Sequence, residues 1–404
     1  MPRILFVAMT ESVHTARWIS QLNDTGWDIH IFPSIPNFYN INPELANVTV
    51  HGLFVKPKYS GQRLKFNKAF PWPFKKGYAL LNRAIGCLYK LPMHKGKNQF
   101  DFSSYLLGKT INKIKPDLIH ILEMQHSGYL IDNAIKNVDR KYLPKLIYTP
   151  WGSDINLFGR IDDHIERIKR FLGHCDFYWP MSKRDIVLGE KYGFKGKMLP
   201  IISSQQGFET KILRQYWQYE LSSQRKTIML KGYQGWAGRS LFALKAIEAC
   251  FEYLKGYEII VYSASDDVRI RAEILAKEKG LNINILSQIS HLDMIKLYGQ
   301  SRFSIGASIS DGVPNSLLES MVMGCLPIES VGGCANEFIK DGYNGFIIDA
   351  ENVGNIANAI KRALIDDDLV NNAAEINYQI IKDKFEYSDI KAKVVKIYHE
   401  LLYN

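Results

Sequence analysis

Cysteine is scarce and odd in number: Cys87, Cys175, Cys250, Cys325 and Cys334 lie far apart, with no CxxC pair among them. That excludes a disulfide scaffold and a CxxC zinc or redox centre, and free thiols in a reducing cytoplasm are the expectation. No apolar run approaches the roughly 18 residues that a membrane span needs. The opening run from Ile4 to Ala8 is too short for a secretory signal, being broken by Thr10 and Glu11. The chain is therefore expected in the cytoplasm, with any membrane contact peripheral. The 15 prolines and 29 glycines are scattered. No Gly/Ser or acidic tract marks a flexible tail, and no repeat of solenoid period is found. What remains is 404 residues, 46% hydrophobic and 23% charged, the profile of a folded protein of two or three domains.

Acidic residues are missing altogether from one stretch. Between Lys56 and Phe100 there are eleven lysines and arginines and no Asp or Glu, so this segment accounts for the whole net charge of +10. Tyr59, Phe66, Phe70, Trp72, Phe74, Tyr78 and Tyr89 are interleaved with the basic residues. Basic side chains beside aromatic ones suit a surface that meets anionic headgroups while its rings enter the interface. From Lys76 to Leu91 the apolar residues also fall at helical spacing, which fits an amphipathic helix. A solvated loop and helix packed on the core would show the same pattern. A nucleic-acid partner is not expected, because the other 359 residues are nearly neutral and lack the basic spread of a duplex-binding surface.

Strands alternate with helices almost throughout. The pattern predicts strands at Arg3 to Ala8, Trp27 to Phe32, Leu118 to Leu122, Leu146 to Thr149 and Asp176 to Pro180, then a second series from Thr227 to Ile348. This is the α/β rhythm of parallel sheets covered on both faces, and it predicts two Rossmann-like domains in tandem. The first is expected over residues 1–205 with the basic aromatic insertion at about 56–100. The second is expected over 206–380, and a closing helix over 381–404.

The stretch Ser308-Ile-Ser-Asp311-Gly-Val-Pro-Asn-Ser-Leu-Leu-Glu319 puts two carboxylates eight positions apart across a loop-to-helix junction. A helix beginning near Ser316 would aim free backbone N–H groups at the loop, a ready site for a diphosphate. Glu319, about one turn inside, could accept from two ribose hydroxyls. The competing reading is a capping box, Ser316-x-x-Glu319, with no ligand at all.

Asp311, Glu319, Gly324, Pro327, the pair Gly332-Gly333, Glu337 and Asp341-Gly-Tyr-Asn-Gly345 together resemble the nucleotide-binding half of the retaining GT-B glycosyltransferases of family 4. The run is strong over about residues 225 to 350, and Asp311 stands where that family usually has Glu. The resemblance implies the GT-B fold: two Rossmann-like domains facing each other across a cleft, with the C-terminal helix crossing back to the first.

It also implies transfer of a sugar from a nucleoside-diphosphate donor, with uridine the family-level expectation; the basic aromatic insertion points to a saccharide or lipid-linked acceptor of surface glycan, and the abundance of Lys, Asn and Ile to a bacterial source. Lys231 and Arg239 would hold the diphosphate and Gly232 would let it approach, with Asn315, Ser316 and Leu317 completing the donor contacts. Asp311 would contact the donor sugar, and Glu123, Gln125 or His126 would stand in for the family's second histidine, which faces the donor sugar or the acceptor. On the acceptor side the resemblance points to Glu123, to Asp154 in Trp151-Gly-Ser-Asp154, and to His14. For Asp154 a plain turn, and for His14 a capped helix start, are equally open. His120 reads as a structural histidine or a site residue. No metal or cofactor is expected, since basic residues and a helix dipole can carry the charge and no metal-ligand spacing appears. An epimerase of the same fold and a catalytically silent, membrane-docked scaffold are the alternatives.

Overall fold

A computed structural model describes residues 1–35, 41–53, 64–68, 102–203 and 206–403. Most of the basic aromatic segment, including the amphipathic stretch from residue 76 to 91, lies outside the described residues, as does Cys87.

The first sheet contains eight parallel strands: β1 (Arg3–Ala8), β2 (Asp28–Pro33), β3 (Thr49–Leu53), β4 (Lys65–Lys68), β5 (Leu118–Leu122), β6 (Lys145–Thr149), β7 (Phe177–Tyr178) and β8 (Lys197–Met198). Their order is β4-β3-β2-β1-β5-β6-β7-β8. The second sheet contains six: β9 (Thr227–Lys231), β10 (Glu258–Tyr262), β11 (Asn282–Ile285), β12 (Ser301–Gly306), β13 (Leu326–Ser330) and β14 (Phe346–Ile348), ordered β11-β10-β9-β12-β13-β14. Central strands such as Leu118–Leu122 are buried at every position, as helices on both faces of a sheet require.

Strand order reverses between β1 and β5 in one sheet and between β9 and β12 in the other. At such a switch point the connecting segments diverge and leave a crevice beyond the strands' carboxyl ends. The residues that follow β1, β5, β9 and β12 are therefore the ones the topology delivers to the cleft.

The expected closing helix is longer and double. Helix Asp367–Phe385 stays on the second domain, and helix Tyr387–Tyr403 returns to the first. At the crossing, the Phe208 N–H donates to the Phe385 carbonyl at 2.7 Å and the Tyr387 N–H to the Phe208 carbonyl at 2.9 Å, so outgoing and returning chain run side by side. The returning helix seats Tyr398 against Trp18, Trp179 and His120, with Trp18 Nε1 donating to the Tyr398 hydroxyl at 2.9 Å. His120 is fully buried, bonded to Tyr398 and to Thr149, and burial lowers its pKa to about 3. It is a structural histidine, neutral in the core. The four described cysteines are free and buried.

Candidate active site

The second domain contributes a charged floor. Lys231 ends β9, and its ammonium lies 3.3 Å from Asp311 Oδ2, while Asp311 Oδ1 accepts from the Gly312 N–H at 2.8 Å. Burial opposes the lysine's charge, but the negative groups beside it, Asp311 first, more than offset that and raise its pKa. Glu329, buried at the end of β13, was not singled out from sequence. Burial pushes its carboxyl up to about 8, although Lys231 acts the other way. Held neutral below that pH, Glu329 leaves Lys231 to Asp311.

Beyond Asp311 the chain enters helix Asn315–Val322, which begins after Pro314 with no side-chain cap. The capping box is not formed: Ser316 Oγ is buried without a partner, and Glu319 turns instead to His291 Nε2 at 2.7 Å. Arg17 of the first domain also reaches Glu319, at 3.7 Å. A cavity of about 300 Å³ lies over this helix start, lined by Asp311, Asn315, Ser316, Lys231 and, from the first domain, His14 and Trp151. His14 lies at the start of a capped helix, Ser12 accepting from its N–H, and its imidazole faces Asn315 at 3.4 Å.

A second cavity, about 370 Å³, shares Trp151, Lys231 and Asp311 with the first and extends to Glu123, His126 and Asp154. The segment after β5 is tightly constrained. Glu123 adopts φ 77° and its carboxylate accepts from the N–H groups of Gln125, His126 and Ser127. A non-glycine residue in that region is strained and persists where surrounding bonds over-determine it. The hydrogen bond that the imidazole donates to the Glu123 carboxylate raises the His126 pKa, so a positively charged imidazole is favoured at the cavity wall. Asp154 ties the same segment down, accepting from the Met124 N–H, the Tyr148 hydroxyl and the Trp151 N–H. Burial and the neighbouring Glu123 push its carboxyl up to about 7 against those donors.

Not every sequence candidate reaches the cleft. Arg239 turns away from Lys231: its Nε donates to Glu351 at 2.6 Å and its Nη1 to the carbonyls of Gly235 and Gly238. Gly232 lines neither cavity: its N–H donates to the Tyr262 carbonyl, and an added Cβ would lie 2.8 Å from the Ala264 Cα. Leu317 packs its side chain in the core, and its N–H bonds to Pro314 O. Asp341 and Asn344 shape a turn: Asp341 accepts from the Ile347 N–H and Asn344 from the Lys340 N–H.

The two domains are in direct contact around the cavities. Asn156 Nδ2 donates to Ser310 Oγ at 2.9 Å, and the Lys183 N–H to Glu337 at 2.9 Å. Arg184 donates to the carbonyls of Gly332 and Asp311. The sequence around Arg184 gives no local cue to these partners across the cleft.

A family model for Glycosyl transferases group 1 matches residues 256–380, and one for Glycosyl transferase 4-like matches residues 3–70. No curated protein matches the chain. Sucrose-phosphate synthase from Thermosynechococcus elongatus shares 14% identity at a TM-score of 0.66, covering 99% of both chains. Anabaena HepE in complex with UDP-glucose shares 11% at 0.67, covering 99% of this chain and 100% of its own. An S. aureus TarM variant in complex with Fondaparinux, alpha-GlcNAc-glycerol and UDP shares 11% at 0.68, covering 100% of both chains. The second domain thus carries a match to the glycosyl transferases group 1 and the first a match to the glycosyl transferase 4-like family, on a GT-B fold shared with these structures from end to end.

Proposed function

We propose that this enzyme moves a sugar, with retention of anomeric configuration, from a nucleoside-diphosphate sugar, first of all a UDP-sugar, to a saccharide or lipid-linked acceptor of bacterial surface glycan. The observation that carries this is the single cleft in which Lys231, Asp311 and the start of helix Asn315–Val322 face His14 of the opposite domain. HepE and TarM, which share the fold, were solved with UDP-containing ligands.

In this reading the diphosphate lies over the helix start, where free N–H groups and the dipole favour an anion. Lys231 adds a charge-assisted contact to the leaving phosphate, so the negative charge that develops as the sugar C1–O bond breaks meets a positive group already in place. The acceptor hydroxyl attacks C1 from the same face, and the departing phosphate oxygen takes its proton. No protein base and no metal are then called for. Asp311 keeps Lys231 oriented, and His126 borders the space open to the sugar.

No described helix is long and apolar enough to cross a membrane. Contact with an anionic leaflet through the basic segment of residues 56–100 belongs to the same proposal, and vesicles containing anionic lipid test it at low salt. The donor reading is tested by titrating UDP and GDP calorimetrically into the protein and into Lys231→Ala. Binding of one nucleotide that the substitution weakens supports it, and binding of neither overturns it.

A further inference from the structure

The two cavities differ in chemistry, and that difference assigns a second binding surface. The cavity over the helix start is bounded by Asn315, Ser316, Asp311 and Lys231, a set suited to an anion. The larger cavity, which shares the Lys231–Asp311 pair, is walled by Met9, Trp151, Phe158, Tyr233, Trp236 and Ala237. Trp236 is 55% exposed, although large apolar rings are normally covered. Its neighbour is Phe158 of the first domain, ring centroids 5.5 Å apart at 52°. The pair is therefore assembled from both domains at the mouth of the cleft.

Trp236 is not on a loose loop. Residues 234 and 239 pair as an antiparallel bridge, as do 238 and 308. Gly238 packs so closely that a Cβ would lie 2.1 Å from the Tyr233 carbonyl oxygen. Arg239 binds two carbonyls of the same turn and is itself anchored by Glu351. An arginine that the motif would assign to phosphate instead fixes the turn that presents the tryptophan.

Building on the glycosyl-transfer reading, the geometry points to Trp236 and Phe158 as a stacking platform for a pyranose ring of the acceptor, and to Arg239 as the positioning residue that holds it. One face of a pyranose carries axial C–H bonds and is apolar, and it packs on the electron-rich face of an indole. The hydroxyls at its edge find Gln125, His126 and Ser153 on the polar side of the same cavity. That division, an apolar wall with a few polar groups, is how a pocket orients a small ligand. A nucleobase fits less well here, because Glu319, the ribose candidate, faces Arg17 and His291 and does not line this cavity.

The test uses the full chain and methyl glycosides of glucose, galactose, mannose and N-acetylglucosamine, read by saturation-transfer NMR, with UDP titrated in parallel by calorimetry. At least one glycoside should show saturation concentrated on one face of its ring. Its affinity should fall about tenfold or more in Trp236→Ala and stay within about threefold in Trp236→Phe, while UDP affinity is unchanged in both. Arg239→Met should weaken the glycoside and leave UDP alone. Binding of no glycoside, or equal binding by Trp236→Ala, overturns the platform. A parallel loss of UDP in Trp236→Ala also overturns it, by giving the ring to the nucleoside. Glycoside binding without any UDP binding upholds the platform and removes the donor reading.

Discussion

Gly152 of the first domain and Gly312 of the second meet backbone to backbone: a Cβ on Gly152 would lie 2.2 Å from the Gly312 Cα. Gly152 also holds φ at 92°, a conformation that side-chain-bearing residues rarely adopt. Gly152→Ala should therefore hold the domains apart at the point where Trp151 and Asp311 share both cavities. Transfer rate should fall about 100-fold with UDP affinity changed less than about threefold, because the loss is in alignment and not in donor contacts. Steady-state kinetics beside calorimetry check it.

Lys231 and Arg239 separate what motif position implies from what geometry supports. Lys231→Ala removes the cation beside Asp311 and should weaken UDP by about 30-fold or more, the scale of a charge-assisted contact. Arg239, engaged by Glu351, should tolerate Arg239→Met with UDP affinity within about threefold. Equal losses in the two variants would mean that Arg239 swings into the cleft when the donor binds.

Glu329 should make UDP binding sensitive to alkaline pH. Its carboxyl, pushed up by burial to about 8 from an ordinary 4.5, gains a negative charge near Lys231 as pH rises through 8. UDP affinity should drop by about threefold to tenfold between pH 7 and 9 in the native chain and stay flat in Glu329→Gln. The folded chain holds this proton where the unfolded chain has lost it. Its contribution to stability is thus present below pH 4.5 and declines as pH rises toward 8. Melting temperatures of the two proteins across that window should diverge accordingly.

Tyr398 anchors the returning helix. In Tyr398→Phe the indole N–H of Trp18 and one nitrogen of His120 lose their partner while remaining buried. The expected cost is about 1–3 kcal/mol for a stranded buried polar group, read from urea unfolding. His120, with a pKa lowered to about 3 from 6.5, should also make the fold weaken as pH falls from 6.5 toward 3.

Much of this protein was legible in its sequence, because its strongest signals are local. Continuous apolar runs such as Ile4 to Ala8 and Leu118 to Leu122, separated by helical stretches, carry the α/β alternation, and buried parallel strands leave that trace whatever their partners. The run from Ser308 to Glu319 announced a loop feeding a helix start, since small residues, a proline and a carboxylate have their own backbone preferences. Those preferences put Asp311, Asn315 and Ser316 at the cleft.

Tertiary structure decided the rest, wherever the partner is distant in the chain. Strand β13 and helix Asp367–Phe385 escaped the pattern because their faces are set by what packs on them. Glu319 faces Arg17 across 302 positions, and Arg184 finds carbonyls 127 and 148 positions away. A sequence cannot show which of its two basic groups, Lys231 or Arg239, points into a cleft. That choice belongs to Asp311 and Glu351, each competing for a cation through distances that only the fold sets.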